Sequence, residues 1–408
     1  MKSINRNISA ITIVLILICA LCALSQDWPQ WRGVNRDGKI TGFTAPQKWP
    51  AELAQKWKVT VGAGDATPAL VGNKLYVFTR QDAEEVIMCM NAENGKQLWQ
   101  NRYTAKAVSG PASRHPGPRS TPTIVDGKVV TLGAAGVLSC LETATGKALW
   151  RKDEFTSVPQ YFTGMSPIIL DGLCIAHLGG KDDGVIIAFD LKTGNEKWKW
   201  TGDGPAYASP ILMTVEATKQ LVVQAENNLM GVRLATGKLL WQIPTPPERR
   251  FYNSATPIVN GQTVIFSGQG LGTSAVKIEK QGDDFVVKEL WNNEDIGTSF
   301  NTSVLKDGLL YGLEKNRGYL FAIDAKTGKT AWTDPTQHDR FGSVIDAGAV
   351  IMMLSSKSQL IVFQPGPEKY SELAKYVVSD TPVYAHPVIA GNRIFVKDQE
   401  TLAMWMIE

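Results

Sequence analysis

The decapeptide IDAKTGKTAW, residues 323–332, contains the pattern that decides the fold, because related phrases recur along the chain. The other clear copies are MNAENGKQLW (90–99), LETATGKALW (141–150), FDLKTGNEKW (189–198) and VRLATGKLLW (232–241). A degenerate copy, KIEKQGDDFVVKELW (277–291), contains an inserted Gly-Asp-Asp. Successive terminal tryptophans, from Trp99 to Trp332, are separated by 51, 48, 43, 50 and 41 residues. This spacing is typical of propeller blades.

Each repeat also begins in a similar way, with a hydroxyl residue and a proline that open a short apolar strand. Clear starts are Thr67-Pro68, Thr121-Pro122, Ser166-Pro167, Ser209-Pro210 and Thr256-Pro257, and weaker ones are Thr302-Ser303, Gly342-Ser343 and His386-Pro387. Within one unit, IVDGKVVTL (124–132) indicates two strands across an Asp-Gly turn, and VLSCLETATGKALW (137–150) indicates two more. The sequence therefore predicts an all-β, eight-bladed β-propeller of four-stranded antiparallel blades.

The two ends of the chain predict how the ring closes. The last unit, AHPVIAGNRIFVKDQETLAMWMIE (385–408), stops at its third strand, whereas LAQKWKVTV (53–61) is an isolated fourth strand that contains Trp57. Pairing the N-terminal strand with the C-terminal blade completes blade eight and removes both open edges. Blade seven lacks the signature, but Tyr376 stands 44 residues after Trp332, where a tryptophan is expected.

The repeat tryptophans are expected to be structural. A large flat side chain on the outermost strand of a blade can pack on the neighbouring blade, and its burial contributes about 1.5–3 kcal/mol. The predicted blade-docking residues are Trp57, Trp99, Trp150, Trp198, Trp241, Trp291 and Trp332.

Residues 1–25 have the parts of a secretory signal: Lys2 and Arg6, an apolar run at 11–20, and small residues up to Ser25. We expect cleavage after Ser25, which makes the mature protein periplasmic or secreted, without a transmembrane domain. An uncleaved anchor is the alternative, since about 17 apolar residues can just span a bilayer. The expected organisation is a signal peptide (1–25), an N-terminal extension packing on the propeller (26–52) and a single propeller (53–408).

That extension contains Trp28, Trp31 and Arg32 outside the repeats. Its aromatic residues could dock a partner. We favour an extension folded back on the propeller, because two exposed tryptophans would lower solubility.

Charge and cysteine content exclude several classes of function. Without the signal, 40 of the 42 Lys and Arg residues remain, against 39 Asp and Glu residues. The charges therefore nearly balance, and nucleic-acid binding is not expected. Cys89, Cys140 and Cys174 remain in apolar segments, which favours buried free thiols over a disulfide framework. The four histidines are widely separated, so no metal site is predicted.

Beyond the repeats, DWPQWRGVNRDG (27–38), RHPGPRSTPTIVDG (114–127) and GGKDDGVIIAFDLKTG (179–194) carry a family resemblance. Together with the repeat phrase, they resemble exported members of the PQQ-like, quinoprotein-type β-propeller repeat family, over nearly the whole mature chain. That family includes quinoprotein alcohol dehydrogenases and the outer-membrane barrel-assembly propeller scaffold. The resemblance implies the propeller fold and is less specific for activity.

For catalytic members, the resemblance implies pyrroloquinoline quinone (PQQ), a vicinal disulfide, calcium held by Glu and Asn side chains, and an Asp base. This sequence has no Cys-Cys pair and no Cys-x-x-Cys-His haem motif. The Asp-Asp-Gly and Gly-Asp-Asp stretches at 182–184 and 282–284 lack the alternating ligands of a calcium loop. No cofactor is therefore predicted, and PQQ with calcium is the less favoured alternative.

The loops that lead into the innermost strands are rich in aromatic and polar residues, and they converge at the funnel of a propeller. Such a rim could stack on and hydrogen-bond a planar or peptide-like ligand. The candidate ligand-binding residues are Arg114, His115, Arg119, Tyr161, Phe162, Tyr207, Tyr252, Asn253, Phe300, Asn301, Arg340, Tyr384 and His386, with Phe251 and Phe341 beside them. His115, between two arginines, could help to hold a carboxylate or phosphate. The alternative is that these residues only pack the loops and fill the channel.

We therefore expect an exported, monomeric, non-catalytic binding or scaffold propeller. Its partner would be a protein, a peptide or a carbohydrate, bound at the funnel or at the blade edges. The alternative is a PQQ-binding quinoprotein oxidoreductase with atypical cofactor ligands. A propeller hydrolase or lyase is a third class, but no hydrolase signature supports it, and no catalytic residue is nominated.

Overall fold

The computed structural model describes residues 27–181, 183–247, 252–268 and 270–408. These residues form eight antiparallel sheets of four strands each, arranged as blades around a central channel. This confirms the predicted all-β, eight-bladed propeller. The predicted signal peptide lies outside the described residues. Within the described ranges, no helix is long and apolar enough to cross a membrane.

The first strand is β1 (Ala54–Thr60). Blade 1 consists of β2 (Ala69–Val71), β3 (Lys74–Gln81), β4 (Glu84–Asn91) and β5 (Gln97–Thr104). A short 3-10 helix (Gly110–Arg114) precedes blade 2, which consists of β6 (Thr123–Val125), β7 (Lys128–Leu132), β8 (Leu138–Glu142) and β9 (Ala148–Lys152). Blade 3 consists of β10 (Ile168–Leu170), β11 (Leu173–Leu178), β12 (Gly184–Asp190) and β13 (Glu196–Gly202). Blade 4 consists of β14 (Ile211–Val215), β15 (Thr218–Gln224), β16 (Asn228–Arg233) and β17 (Leu239–Pro244).

The second half of the ring repeats this order. Blade 5 consists of β18 (Ile258–Asn260), β19 (Thr263–Gly268), β20 (Gly272–Gln281) and β21 (Asp284–Asn293). Blade 6 consists of β22 (Val304–Lys306), β23 (Leu309–Leu313), β24 (Leu320–Asp324) and β25 (Thr330–Thr333). Blade 7 consists of β26 (Gly342–Asp346), β27 (Ile351–Ser355), β28 (Gln359–Phe363) and β29 (Glu372–Val377). Blade 8 consists of β30 (Val388–Ala390), β31 (Arg393–Lys397), β32 (Thr401–Met406) and β1.

The ring closes through the two ends of the chain, as predicted. β1 pairs antiparallel with β32, with Trp57 opposite Met404 and Val59 opposite Leu402. β1 therefore serves as the outermost strand of the blade whose other three strands come from the C-terminus. This pairing covers the outer edge of β32 and gives blade 8 its fourth strand.

Six of the seven repeat tryptophans hydrogen-bond to the blade that follows. The donors are Trp57, Trp99, Trp150, Trp198, Trp291 and Trp332, whose Nε1–H groups reach backbone carbonyls at 2.8–3.2 Å. Trp241 differs, because its Nε1–H donates to Gln220 Oε1 of its own blade at 2.6 Å. The turn that would supply its acceptor is replaced in blade 5 by the longer β20–β21 hairpin.

The glycine of the repeat turn is required for two reasons. Gly194 and Gly237 both have φ of +72°, a conformation that disfavours residues with a Cβ. A Cβ atom would also lie 2.7 Å from the ring of Trp150 at Gly194, and 2.5 Å from the ring of Trp198 at Gly237. The turn glycine thus accepts the tryptophan of the preceding blade, which explains why the two residues occur together in the repeat.

Five hydrogen bonds between repeat-start residues link neighbouring blades around the channel. In each link, the backbone N–H of one start residue donates to the side-chain hydroxyl of the start residue in the next blade. The links join Thr121 to Ser166, Ser166 to Ser209, Ser209 to Thr256, Thr256 to Thr302 and His386 to Thr67, at 2.9–3.1 Å. The Ser/Thr-Pro motif therefore joins the innermost strands to one another.

Residues 27–40, which we call the plug, lie in the central channel. Trp28 pairs with Leu70 of β2, and Lys39 pairs with Asp346 of β26. The carbonyl of Pro29 accepts the Ile124 N–H of β6 at 2.8 Å. Trp28 is only 2% exposed. The plug thus contacts the innermost strands of blades on both sides of the channel.

Two buried arginines attach the plug to blades 6 and 3 by hydrogen bonds. Arg32 donates to the carbonyls of Thr302 and Ser303 in blade 6, at 3.0 and 2.8 Å. Arg36 donates to the carbonyls of Ser166 and Pro167 in blade 3, at 2.8 and 2.9 Å. Burial lowers the pKa of Arg32 to about 10 and that of Arg36 to about 9, so both remain charged at neutral pH.

Candidate functional site

A pocket of about 490 Å³ opens at the end of the ring where the loops between consecutive blades meet, which we call the loop face. Each of the eight loops contributes a residue that lies just before the start of the repeat, two positions before it in seven loops and one position before it in the loop that leads into blade 7. These residues are Asp65, Arg119, Gly164, Tyr207, Ser254, Phe300, Phe341 and Tyr384. In extended backbone, residues two apart point to the same side, which explains why the same loop position recurs in the pocket lining.

Aromatic rings form the larger part of the pocket wall. Phe300 packs on Phe341 with ring centroids 5.1 Å apart, and Phe341 meets Tyr384 at 6.0 Å. On the other side, Tyr252 contacts Tyr207 edge to face at 5.2 Å and Tyr161 at 5.9 Å. Edge-to-face and tilted contacts of this kind hold the rings in fixed orientations.

The hydroxyls of two wall tyrosines are directed away from a ligand. Tyr207 donates its O–H to the carbonyl of Tyr161, and Tyr252 donates to the carbonyl of Pro205. Burial raises the pKa of both groups, so they stay protonated at neutral pH. These two residues therefore provide aromatic surface rather than an acid or a base.

Polar groups are concentrated where blades 1 and 2 meet. His115 Nδ1 lies 2.7 Å from Asp65 Oδ2, and its ring contacts that of Tyr384 at a centroid distance of 4.8 Å. Arg119 donates to the His115 carbonyl at 2.8 Å, and its guanidinium carbon lies 5.9 Å from the centroid of the Tyr207 ring. The pocket is therefore amphipathic, with aromatic surface over most of its circumference and charge at one side.

The floor of the pocket contains Trp31 of the plug and His386 of blade 8. Their rings meet edge to face at 4.6 Å, and Trp31 Nε1–H donates to Thr256 Oγ1 at 3.2 Å. His386 is 5% exposed, and its Nδ1 has no hydrogen-bond partner among the described residues. Burial, with the charge of Arg32 nearby, holds the pKa of His386 well below its usual range, so the imidazole is neutral at pH 7.

A buried lysine, Lys397, stabilises the loop at the polar side of the pocket. Lys397 donates its ammonium protons to the carbonyls of Gly64, Asp398 and Gln399, at 3.0, 2.6 and 3.1 Å, and so fixes the loop that carries Asp65. Burial lowers the pKa of Lys397 to about 8. Lys397 acts as a structural support and does not line the pocket.

The pocket brings together eight of the thirteen candidate residues predicted from the sequence, and it does not include the other five. The lining includes His115, Arg119, Tyr161, Tyr207, Tyr252, Phe300, Tyr384 and His386. Phe341, named beside them, also lines the pocket, whereas Phe251 lies outside the described residues.

The remaining five candidates have other positions. Asn253 and Asn301 are buried, and their side-chain amides donate to backbone carbonyls, including that of Leu313 for Asn301. Phe162 is buried in a small cluster with Val108, Ala112 and Ala134. Arg114 and Arg340 are exposed and do not line the pocket.

Among the lining residues that the sequence did not assign to the pocket are Asp65 and Trp31, although Trp31 was noted in the N-terminal extension. Asp65 could have been found by aligning the loops on their Ser/Thr-Pro starts, since it stands two residues before Thr67 as Arg119 does before Thr121. Trp31 had no comparable signal, because the plug lies outside the repeats. Its place follows from contacts with blades far away in sequence.

Among the described lining residues, no hydroxyl is hydrogen-bonded to a histidine or carboxylate that could act as its base; Ser254 Oγ, for instance, donates to the Tyr252 carbonyl at 3.2 Å. No group of three or more His, Cys, Asp or Glu residues that could hold a metal ion occurs among the described residues.

The donor set does not fit PQQ with calcium as the resemblance describes it. Asp65 is the one carboxylate in the described pocket lining, and it is engaged by His115. The two asparagines beside the pocket, Asn253 and Asn301, use their side chains on backbone groups. Cys89, Cys140 and Cys174 are buried free thiols in three separate blades.

A second cavity, an open groove of about 740 Å³, lies between the first hairpins of blades 1 and 2. Turn residues such as Gly72 and Asp126 form its sides, together with Asp27 of the plug. It lacks the ring of aromatic groups found at the loop face, so we take the loop-face pocket as the candidate site.

Comparisons with known proteins agree with this architecture. A family model described as outer membrane protein assembly factor BamB matches residues 37–181 and 84–334. The chain is 24% identical over 364 residues to the outer membrane protein assembly factor BamB of Burkholderia pseudomallei, covering 86% of each sequence.

Two solved structures are similar in fold. BamB from Moraxella catarrhalis superimposes with a TM-score of 0.66 at 14% identity, covering 87% of this chain and 99% of that one. Quinohemoprotein alcohol dehydrogenase from Comamonas testosteroni gives a TM-score of 0.70 at 15% identity, covering 96% of this chain and 82% of that one. The repeat phrase, the blades and the family match lead to one conclusion: the chain belongs to the PQQ-like β-propeller family described as outer membrane protein assembly factor BamB.

Proposed function

We propose that this protein is a non-catalytic binding propeller that receives a protruding segment of a protein or peptide partner in its loop-face pocket. The observation that carries the proposal is the convergence of all eight inter-blade loops on one amphipathic pocket. Its volume of about 490 Å³ suits a side chain or a chain end. Small-ligand pockets span about 300–1,000 Å³.

The chemistry of the pocket supports a binding role. Aromatic side chains provide large contact area at a low entropic cost, and they are enriched where proteins bind other proteins. Phe300 and Tyr384 are 46% and 37% exposed, so their rings are available to a partner at the rim. Relatives named as outer membrane protein assembly factors point in the same direction.

The proposed location is the periplasm or the exterior of the cell. It rests on the signal-like residues 1–25 and on the names of the BamB relatives. A carbohydrate partner is the alternative interpretation of the aromatic rim, because sugars also stack on aromatic faces. We propose a monomer, since the ring is closed within one chain.

Site-specific photocrosslinking in the native host tests the proposal. A benzophenone amino acid is placed at Phe300 and at Phe341, and a control is placed at Val377, which is 67% exposed on the outermost strand of blade 7. We expect discrete protein adducts from the two rim positions and none from Val377. Adducts from Val377 alone would move the binding site to the blade edge and contradict the proposal.

Titration with PQQ and calcium tests the quinoprotein alternative, which the fold similarity to quinohemoprotein alcohol dehydrogenase keeps open. We expect no saturable quinone binding and no dye-linked oxidation of alcohols or sugars. Binding with turnover would instead identify the protein as an oxidoreductase and refute the non-catalytic assignment.

A further inference from the structure

We propose that the plug makes the loop-face pocket a blind site, and that Trp31 sets its depth and so selects the group that binds. The ligand is then an aromatic or aliphatic side chain inserted end-on from a protein partner. A polypeptide that threads through the channel is excluded. This inference rests on the proposed function and adds to it the class of ligand and the residue that limits its size.

The plug occupies the channel below the pocket. The plug pairs with strands on both sides of the channel, at Leu70 and at Asp346. Arg32 and Arg36 attach it to blades 6 and 3 through four hydrogen bonds to backbone carbonyls. Both arginines are buried, and displacing them would leave these backbone carbonyls without their hydrogen-bond donors, so the plug is costly to remove.

Trp31 is the part of the plug that reaches the pocket. Its indole N–H donates to Thr256 Oγ1, which also accepts the Ser209 N–H in the links between repeat starts. Its ring covers His386 at a centroid distance of 4.6 Å, and both residues line the pocket. The indole therefore separates the aromatic rim from the channel below.

The buried, unpartnered nitrogen of His386 shows that this floor is tightly covered. An imidazole nitrogen without a hydrogen-bond partner normally binds water, and burial without one costs free energy. Removing the indole would expose His386 and extend the pocket by the volume of one ring system. The pocket would then accept a longer aromatic group.

The apolar ligand class follows from the wall and the floor together. Phe300, Phe341 and Tyr384 present rings to the cavity, and Trp31 presents another at its base. The charged groups Asp65 and Arg119 lie at one side only. An inserted apolar side chain therefore meets rings around it, while the polar backbone that carries it can reach the charged side.

The first measurement is independent of any ligand. Diethyl pyrocarbonate modifies accessible histidines, and His115, whose side chain is 33% exposed, serves as an internal control. We expect His386 to be protected in the wild type and modified in Trp31→Ala. The matched control is Trp49→Ala, which removes a partly buried tryptophan that stacks on Phe43 away from the pocket, and should leave His386 protected.

The second measurement uses two probes, the capped amides of phenylalanine and of biphenylalanine. Because a second ring gains buried surface only in the deeper pocket, we expect Trp31→Ala to shift the ratio of the two dissociation constants roughly tenfold toward biphenylalanine. Trp49→Ala should leave the ratio unchanged. If Trp31→Ala does not fold, Trp31→Leu provides a smaller shift in the same direction.

The outcomes separate the two proposals. A protected His386 in Trp31→Ala would overturn Trp31 as the floor, whether or not the wild type binds the probes. Where both probes bind, an unchanged ratio of their dissociation constants would do the same. A reactive His386 without binding of either probe to any variant would retain the plug as the floor but refute the apolar ligand class. Rim crosslinks could still be obtained in that case, so the proposed function would stand or fall separately.

Discussion

Replacement of Gly237 by alanine tests the proposed pairing of the turn glycine with the tryptophan of the preceding blade. Gly237 has φ of +72°, and a Cβ there would lie 2.5 Å from the Trp198 ring. Gly172 is a matched control, because its φ is +76° and a Cβ there would meet nothing within 4 Å. Both variants bear the cost of a left-handed alanine, but only Gly237→Ala must also displace a ring.

The magnitudes follow from these two terms. A non-glycine residue in the left-handed region costs about 1–2 kcal/mol, which is the expected loss for Gly172→Ala. Overpacking adds about 1–3 kcal/mol, so Gly237→Ala should lose about 2–5 kcal/mol. The Trp198 hydrogen bond to the Leu234 carbonyl, 2.9 Å long, contributes to the upper value if the ring has to move.

Urea unfolding followed by tryptophan fluorescence measures the difference, from midpoints at a shared m value. The same pair is then compared in a Trp198→Leu background, where the smaller side chain should reduce the difference to below about 0.5 kcal/mol. Equal destabilisation by the two glycine substitutions in the wild-type background would refute the packing argument. A difference that persists without the indole would do the same.

Three further predictions concern the closure of the ring, the plug and stability in acid. Trp57→Ala and Trp150→Ala should each lower the free energy of unfolding in urea by about 3–5 kcal/mol, because the tryptophan makes the same contact between blades 8 and 1 as between two internal blades. A much smaller loss for Trp57→Ala would contradict that equivalence. Arg36→Met should cost about 2–4 kcal/mol and make the plug sensitive to protease, and an unchanged cleavage rate would show that the plug is held without it. Burial lowers the pKa of His177 from 6.5 to about 4, so the unfolded chain binds a proton below pH 6.5 that the folded chain does not, and stability is lost as the pH falls through this window. His177→Gln should therefore remove about 2 kcal/mol of the loss in unfolding free energy between pH 7 and pH 5, and an unchanged pH profile would assign the loss to other groups.

The candidate site was only partly predictable from the sequence. Residues two positions before a repeat start, such as Tyr207 and Tyr384, were identified because the repeat shows which loops converge. Asn253 and Asn301 are the chain neighbours of the lining residues Ser254 and Phe300, but their side chains point to the other side and donate to backbone carbonyls. Side chains alternate in direction along extended backbone, so a loop that reaches the pocket also contains residues that face away from it.

The sequence by itself determined the number of blades, the strands within each blade and the closure of the ring. The blades and their strands repeat, and each copy of the repeat phrase contains the same turn and the same docking tryptophan. Local periodicity and turn chemistry are sufficient for them, because each blade contacts mainly its neighbours.

Tertiary structure alone decided the course of residues 27–40. The segment occurs once, so no internal repetition indicates its partners, and its contacts are with Thr302 and Ser166, more than a hundred residues away. Arg32 and Arg36 are charged residues that would be expected at the surface, yet they are buried because the starts of the innermost strands offer backbone carbonyls that the channel shields from water. The depth of the pocket depends on that arrangement, since its floor is a side chain from outside the repeats.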